Sequence, residues 1–245
     1  MTATATDTPL LAVQSLARSF GRFRALTRVD LQVRDGESVA LFGGNGAGKT
    51  TLLKIIATLL GPTRGSLAYR GKPVKGAVRR AYRRALGFAG HATFLYGDLS
   101  AEENLMLHAR LRGVERPEER VRELLERVDL WERRNERPTH FSRGMQQRAS
   151  LARAMIDKPS LLLLDEPFSG LDTPGAAVIE QEIRQHRAAG LSTLIVSHNL
   201  PRALSLCDRY VALERGQVVQ EGPCAPFRDL PPHEVNLERI LAGTA

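Results

Sequence analysis

The stretch Gly43-Gly44-Asn45-Gly46-Ala47-Gly48-Lys49-Thr50-Thr51 constrains this chain more than any other. It fits the spacing Gly-x-x-x-x-Gly-Lys-Ser/Thr. Backbone N–H groups can wrap a dense negative charge only where few Cβ atoms intervene, and glycines permit that approach and the unusual turns it needs. Lys49 adds a mobile positive charge suited to the β- and γ-phosphates of a nucleotide, and the Thr50 hydroxyl is an oxygen donor of the kind Mg²⁺ takes. The run Ser38–Phe42 before the loop is apolar and suits a buried parallel strand. Leu52–Leu60 after it has helical spacing, and the N-terminus of that helix points its dipole at the phosphates. A strand, a glycine loop and a helix in this order predict an α/β fold of the P-loop NTPase class.

The flanking segments extend this frame. Residues 10–16 and 29–33 read as strands, the second alternating in polarity and closed by a turn at Asp35-Gly36. Residues 66–70 give another short strand, so an antiparallel side sheet is expected beside the loop. Ser100-Ala101-Glu102-Glu103 is a capping box that opens a helix running to about Leu111 and stopped by Gly113. A second helix is expected over 117–131, with Val121, Leu124, Leu125 and Val128 on one face. A third runs from near Ser142 to Met155. Leu161–Leu164 has no polar face and predicts a central strand, ending in Asp165 and Glu166. A helix over 174–189, a buried strand over 194–198 and a hairpin around Arg215-Gly216 complete the core, and a short helix is expected over 234–242.

Open α/β sheets place their chemistry at the carboxyl ends of apolar strands, where Asp165, Glu166 and His198 all stand. The succession Gly43–Thr51, Phe141-Ser142-Arg143-Gly144-Met145-Gln146-Gln147-Arg148, Leu161–Glu166, Ser169–Asp172 and His198 resembles the ATP-binding-cassette (ABC) ATPase family over roughly residues 10–222. The resemblance implies a RecA-like core, a small antiparallel β-subdomain and an inserted helical subdomain over about 92–157. Residues 1–9 are then a flexible tail and 223–245 a C-terminal extension.

The resemblance also assigns roles. Gly43, Gly44, Asn45, Gly46, Ala47, Gly48, Lys49, Thr50 and Thr51 would hold the phosphates of ATP. Thr50 would ligate Mg²⁺, with Asp165 acting directly or through water. Glu166 would be the general base that polarises the attacking water, and His198 would bond the γ-phosphate, the other reading of His198 being a plain strand-end histidine. Phe20 stands where the family stacks adenine, with Phe23 a nearby rival and a plain core aromatic the alternative. Ser142 and Gly144 belong to the signature that reaches the γ-phosphate held by a second cassette, so a head-to-tail homodimer with ATP at its seam is implied. Asp172 would link the sites across that seam, or else cap the helix that follows it.

Three residues depart from the family pattern, at two places. Arg143 and Met145 replace the usual glycine and glutamine of the signature, while Ser142 and Gly144 remain. His91 falls where the family has a glutamine that senses Mg²⁺ and the membrane partner; magnesium prefers oxygen, so His91 is a poor direct ligand. Gly90-His91 and Leu95–Leu105, together with Phe141–Met145, look like the haem-exporter-type ATPase of cytochrome c maturation, and related multidrug-like ABC-2-type exporters share parts of the pattern.

Composition fits a globular chain of 245 residues with 42% hydrophobic and 25% charged content. No apolar run approaches the length that spans a bilayer. With no span in the chain, the resemblance implies a peripheral setting on the cytoplasmic face of the cell membrane, with a separate permease as partner. Cys207 and Cys224 fit a reducing compartment and sit at no metal-ligand spacing. The net charge of +8 fits a solvated arginine-rich surface, or else nucleic acid, an anionic membrane face or an acidic partner, for which the short run Arg79–Arg84 is the best candidate patch. A nucleic-acid partner is not expected: DNA-repair relatives carry long coiled-coil insertions and translational relatives carry two cassettes in one chain. A P-loop kinase or GTPase would give no reason for Ser142–Gly144.

Overall fold

The computed structural model describes residues 8–228, 230–231, 233–236 and 240. Most of the expected N-terminal tail and of the helix expected over 234–242 lies outside them. The strands are β1 (Leu11–Phe20), β2 (Phe23–Val33), β3 (Ser38–Gly43), β4 (Arg64–Tyr69), β5 (Lys72–Pro73), β6 (Leu86–Ala89), β7 (Leu161–Asp165), β8 (Ser192–Val196), β9 (Arg209–Glu214) and β10 (Gln217–Pro223). The helices are α1 (Lys49–Ile56), α2 (Gly76–Arg84), α3 (Ala101–Arg112), α4 (Pro117–Arg127), α5 (Arg143–Ala154), α6 (Thr173–Ala188), α7 (Leu200–Leu206) and α8 (Ala225–Arg228). They surround one sheet of order β5-β4-β1-β2-β10-β9-β3-β8-β7-β6.

Strands β9, β3, β8, β7 and β6 are mutually parallel. Their sequences have no polar face because both faces are covered. Alternate residues of one strand enter two different cores: Leu162 and Leu164 pack with α3 to α6, while Leu161 and Leu163 pack with α1 and Tyr82. β7 lies between β8 and β6, the interior position its four leucines predict. On the other side, β1, β2, β4 and β5 pair antiparallel. There the alternation is visible in β2, where Val29, Leu31 and Val33 are buried and Asp30 and Gln32 exposed. β10 joins the two parts, antiparallel to β9 and parallel to β2 at Gln217↔Arg28. The β9–β10 turn uses Arg215 and Gly216, both left-handed at φ 48 and 76, the geometry of a two-residue hairpin.

The helical block follows its local signals. The Ser100 hydroxyl accepts from the Glu103 amide at 3.1 Å, and the Glu103 carboxylate accepts from the Ser100 amide at 2.7 Å. Gly113 ends α3 in a left-handed cap. Val121, Leu124, Leu125 and Val128 are fully buried. α4 stops at Arg127, earlier than residue 131, because Asp129 turns left-handed and a short 3-10 turn, Trp131–Arg133, takes over. The Arg127 guanidinium grips Glu182 of α6 with two bonds, 2.6 and 3.2 Å, and so ties the block to the core. α2 carries the arginine run; its inward anchor is Tyr82, fully buried, whose hydroxyl donates to the Ile56 carbonyl at 2.9 Å.

Candidate nucleotide-binding site

The glycine loop lies between β3 and α1, and its glycines do two jobs. A Cβ on Gly43 would stand 2.3 Å from the Leu213 carbonyl oxygen, and one on Gly48 2.6 Å from the Ala25 carbonyl oxygen. These two glycines let the loop press against β9 and β2. Gly44 and Gly46 have no heavy atom within 4 Å of such a Cβ, so the loop's backbone is open there. Gly43, Gly46 and Gly48 all have positive φ, at 148, 77 and 103. Lys49 is buried, and its ammonium donates to the Gly43 and Gly44 carbonyls at 2.7 and 3.0 Å. Burial lowers its pKa, and the nearby Glu166 and Asp165 carboxylates offset part of that.

The strand ends supply the acids. Asp165 is 4% exposed, and the Thr50 hydroxyl donates to its Oδ1 at 3.4 Å. Burial holds the Asp165 carboxyl above the usual range, opposed by the Thr50 bond and by the charges of Lys54, Lys49 and His91. Glu166 turns out of the strand with a left-handed backbone, φ 55, and its amide donates to the Val196 carbonyl at 2.8 Å. The His198 amide donates to Glu166 Oε2 at 3.1 Å, and the His198 Nε2 stands 3.5 Å from Oε1. Glu166 Oε1 is buried and takes part in no hydrogen bond.

A cleft of about 260 Å³ gathers Asn45–Thr51, Glu166, His198 and Phe23, with Ala25 and Val196 in its wall. Sequence reasoning passed over Ala25, a small residue whose carbonyl abuts Gly48; nothing in its residue type marks it. Phe20 and Phe23 face each other across the β1–β2 pairing. Phe23 lines the cleft, whereas Phe20 does not, and the Arg18 guanidinium lies 4.5 Å over the Phe20 ring. His91 is exposed and near enough to Asp165 for their charges to interact.

Ser142, Gly144 and Asp172 stand elsewhere and do not line this cleft. Ser142 is exposed at the start of α5, where its hydroxyl accepts from the Met145 amide at 3.3 Å. Arg143 lies over Gly170, its Nη2 3.4 Å from the Ser169 hydroxyl. Asp172 caps α6, accepting from the Gly175 amide at 2.9 Å. Capping occupies Oδ1, and the residue as a whole is exposed.

The residues suit a magnesium nucleotide. Thr50 and Asp165 offer the hard oxygen donors that Mg²⁺ prefers. The loop offers a cation and open backbone to phosphates, and Glu166 Oε1 is an acceptor that no hydrogen bond occupies. Bound Mg²⁺ supplies positive charge that offsets the charge on phosphoryl oxygens. The chain's own groups can then bind and orient the phosphates.

A family model described as "ABC transporter" matches residues 26–169. The chain is similar to the sulfate/thiosulfate import ATP-binding protein CysA of Caulobacter vibrioides, 37% identical over 228 residues, which are 90% of this chain and 67% of that protein. Among solved structures it is similar to an ATP-binding subunit of an ABC transporter, with TM-score 0.84, 32% identity and coverage of 96% of this chain and 98% of the other. It is also similar to the dimeric post-hydrolysis ATP-binding cassette MJ0796 bound to ADP and Pi, with TM-score 0.80, 27% identity and coverage of 87% and 98%.

Proposed function

We propose a division of labour among the residues of this chain from one premise: it belongs to the ABC transporter family, as an ATP-binding subunit that hydrolyses ATP with Mg²⁺. Lys49 and the loop backbone hold the phosphates. Thr50 and Asp165 hold the metal. Glu166 orients the attacking water and takes its proton, and His198 bonds the γ-phosphate beside it. Phe23, at the mouth of the cleft, is better placed than Phe20 to stack on adenine. The observation that carries this reading is the buried, unbonded Oε1 of Glu166 beside His198, above the glycine loop.

Each copy then holds two half-sites that cannot close on each other. Ser142 and Gly144 reach the γ-phosphate held by a second copy, and Asp172 contributes across the seam while keeping its cap. The working form is a head-to-tail homodimer, closed by ATP and reopened by hydrolysis, that drives a separate membrane permease from the cytoplasmic face. No described helix is long and apolar enough to cross a membrane. A groove of about 650 Å³, with Leu59, Arg83, Phe88, Tyr96 and Arg153 in its walls, is the proposed seat for the permease, with His91 coupling it to the nucleotide.

Two cargo readings rest on different observations. Gly90–Leu105 and Phe141–Met145 support a haem exporter of cytochrome c maturation. The relative named for sulfate and thiosulfate import supports an importer, over 90% of the chain. The permease that co-purifies with the chain separates them. For the ATPase itself, Glu166→Gln is expected to bind ATP, to lose turnover by about 10²–10⁴-fold, and to accumulate as a dimer with ATP. A variant that hydrolyses at the parent rate, or stays monomeric with ATP, refutes the assignment.

A further inference from the structure

Between Glu37 and Asp98 the sequence contains no carboxylate side chain and ten lysines and arginines. The whole chain has a net charge of +8, so this one stretch carries all of the excess and the remainder is slightly acidic. The structure concentrates part of that charge on α2. At about 100° per residue, Arg79, Arg80, Arg83 and Arg84 fall within an arc of about 140°, opposite the side anchored by Tyr82. All four are exposed. Arg83 is held by the Thr58 hydroxyl at 2.7 Å and the Thr58 carbonyl at 3.2 Å. Arg79, Arg80 and Arg84 have no ion-pair partner among the described residues.

We propose that Arg79 and Arg80, on the outward face of α2 beside the permease groove, contact anionic phospholipid headgroups at the bilayer surface; the proposal rests on the membrane placement given above. Charge complementarity is the first support: a surface of phosphates attracts a basic face without needing any particular geometry. Position is the second. Arg83 and Arg84 also form part of the groove assigned to the permease, and Leu59, Phe94 and Tyr96 lie beside them, 54%, 46% and 56% exposed. A basic face with an apolar and aromatic margin is the composition of an interfacial surface. The third support is what the face lacks. From Arg70 to Arg84 there is no Asn, Gln, Ser or Thr, and Tyr82 is buried, so α2 presents no aromatic ring for a base to stack on and no amide to pair with adenine.

The test is co-sedimentation of the purified chain with vesicles containing phosphatidylglycerol, with phosphatidylcholine vesicles as the control. The double variant Arg79→Gln/Arg80→Gln touches neither the groove nor the nucleotide cleft. It is expected to keep the parent ATPase rate and to lose about 25-fold in partitioning, on the order of fivefold for each arginine. Added salt is expected to release the parent chain. Equal binding to the two vesicle types, or equal binding by parent and variant, overturns the proposal. So does retention on a single-stranded oligonucleotide that exceeds retention on the anionic vesicles at the same salt. Vesicle binding is read without turnover and with Glu166→Gln equally well, so a failure here is distinct from a failure of the ATPase assignment.

Discussion

The Arg127–Glu182 pair offers a measurement of what holds the helical block to the sheet. The Glu182 side chain is 1% exposed and that of Arg127 26%. Burial alone would lower the Arg127 pKa; its bonds and charge interactions with Glu182 and Glu123 more than reverse this. Arg127→Met leaves a carboxylate buried without its partner. Breaking a buried pair from one side costs about 3–5 kcal/mol, and the partial exposure of Arg127 places this case near 3. For a chain of this size that corresponds to a melting temperature lower by roughly 6–12 °C. The double variant Arg127→Met/Glu182→Leu removes both charges and fills the space with apolar atoms, and is expected to return to within about 1 kcal/mol of the parent. Denaturant unfolding of the parent, both single variants and the double variant closes the cycle. If Arg127→Met costs less than about 1 kcal/mol, or the double variant is no better than Arg127→Met, the buried-charge reasoning is refuted. α4 belongs to the block that presents Ser142, so the single variant is also expected to lose ATPase rate before it unfolds.

Gly48→Ala combines a positive φ with a Cβ 2.6 Å from the Ala25 carbonyl oxygen, and is expected to cost about 3 kcal/mol. Gly44→Ala meets no atom within 4 Å and is expected to keep the melting temperature within about 2 °C, so thermal melts of the two variants separate loop packing from loop composition. His186 is 4% exposed and its pKa is pushed down to about 4, chiefly by burial. The folded state therefore holds fewer protons than the unfolded chain below the unperturbed value of about 6.5. The resulting stability is complete above about pH 6.5 and is lost as the pH falls toward 4. Between pH 7.5 and 5 the loss is about 2 kcal/mol, and His186→Gln, which can still donate to the Ser192 carbonyl, is expected to remove it from the pH dependence of unfolding. An unchanged pH slope in His186→Gln refutes the assignment.

Much of the fold was legible because its signals are local. The Ser100–Glu103 box, the Gly113 stop, the four leucines of β7 and the glycine loop each state their conformation in a few residues. α2 was not legible as a helix: four arginines swamp an inward side that rests mainly on Tyr82. α7 was hidden by Pro201, which reads as a breaker but stands in the first turn, where its missing N–H costs nothing. The choice between Phe20 and Phe23 was also out of reach. Register shifts in β1 between Leu16 and Arg18, and again before Ser19, break the simple parity that would tell which side of a strand a residue faces. Asp172 shows a further limit, since Asp-Thr-Pro announces a helix cap whatever else its carboxylate does. The residues around the phosphate loop were found from types and spacing; that Ser142 lies away from its own loop is a fact of three dimensions.

Glu166 holds a backbone shape that favours glycine, at φ 55, on the very residue proposed as the base. A glycine at that corner would relax the backbone by about 1 kcal/mol and abolish the reaction with the same stroke. Sturdiness and turnover thus pull this corner in opposite directions, and a chain selected for endurance alone would drift toward an inert clamp.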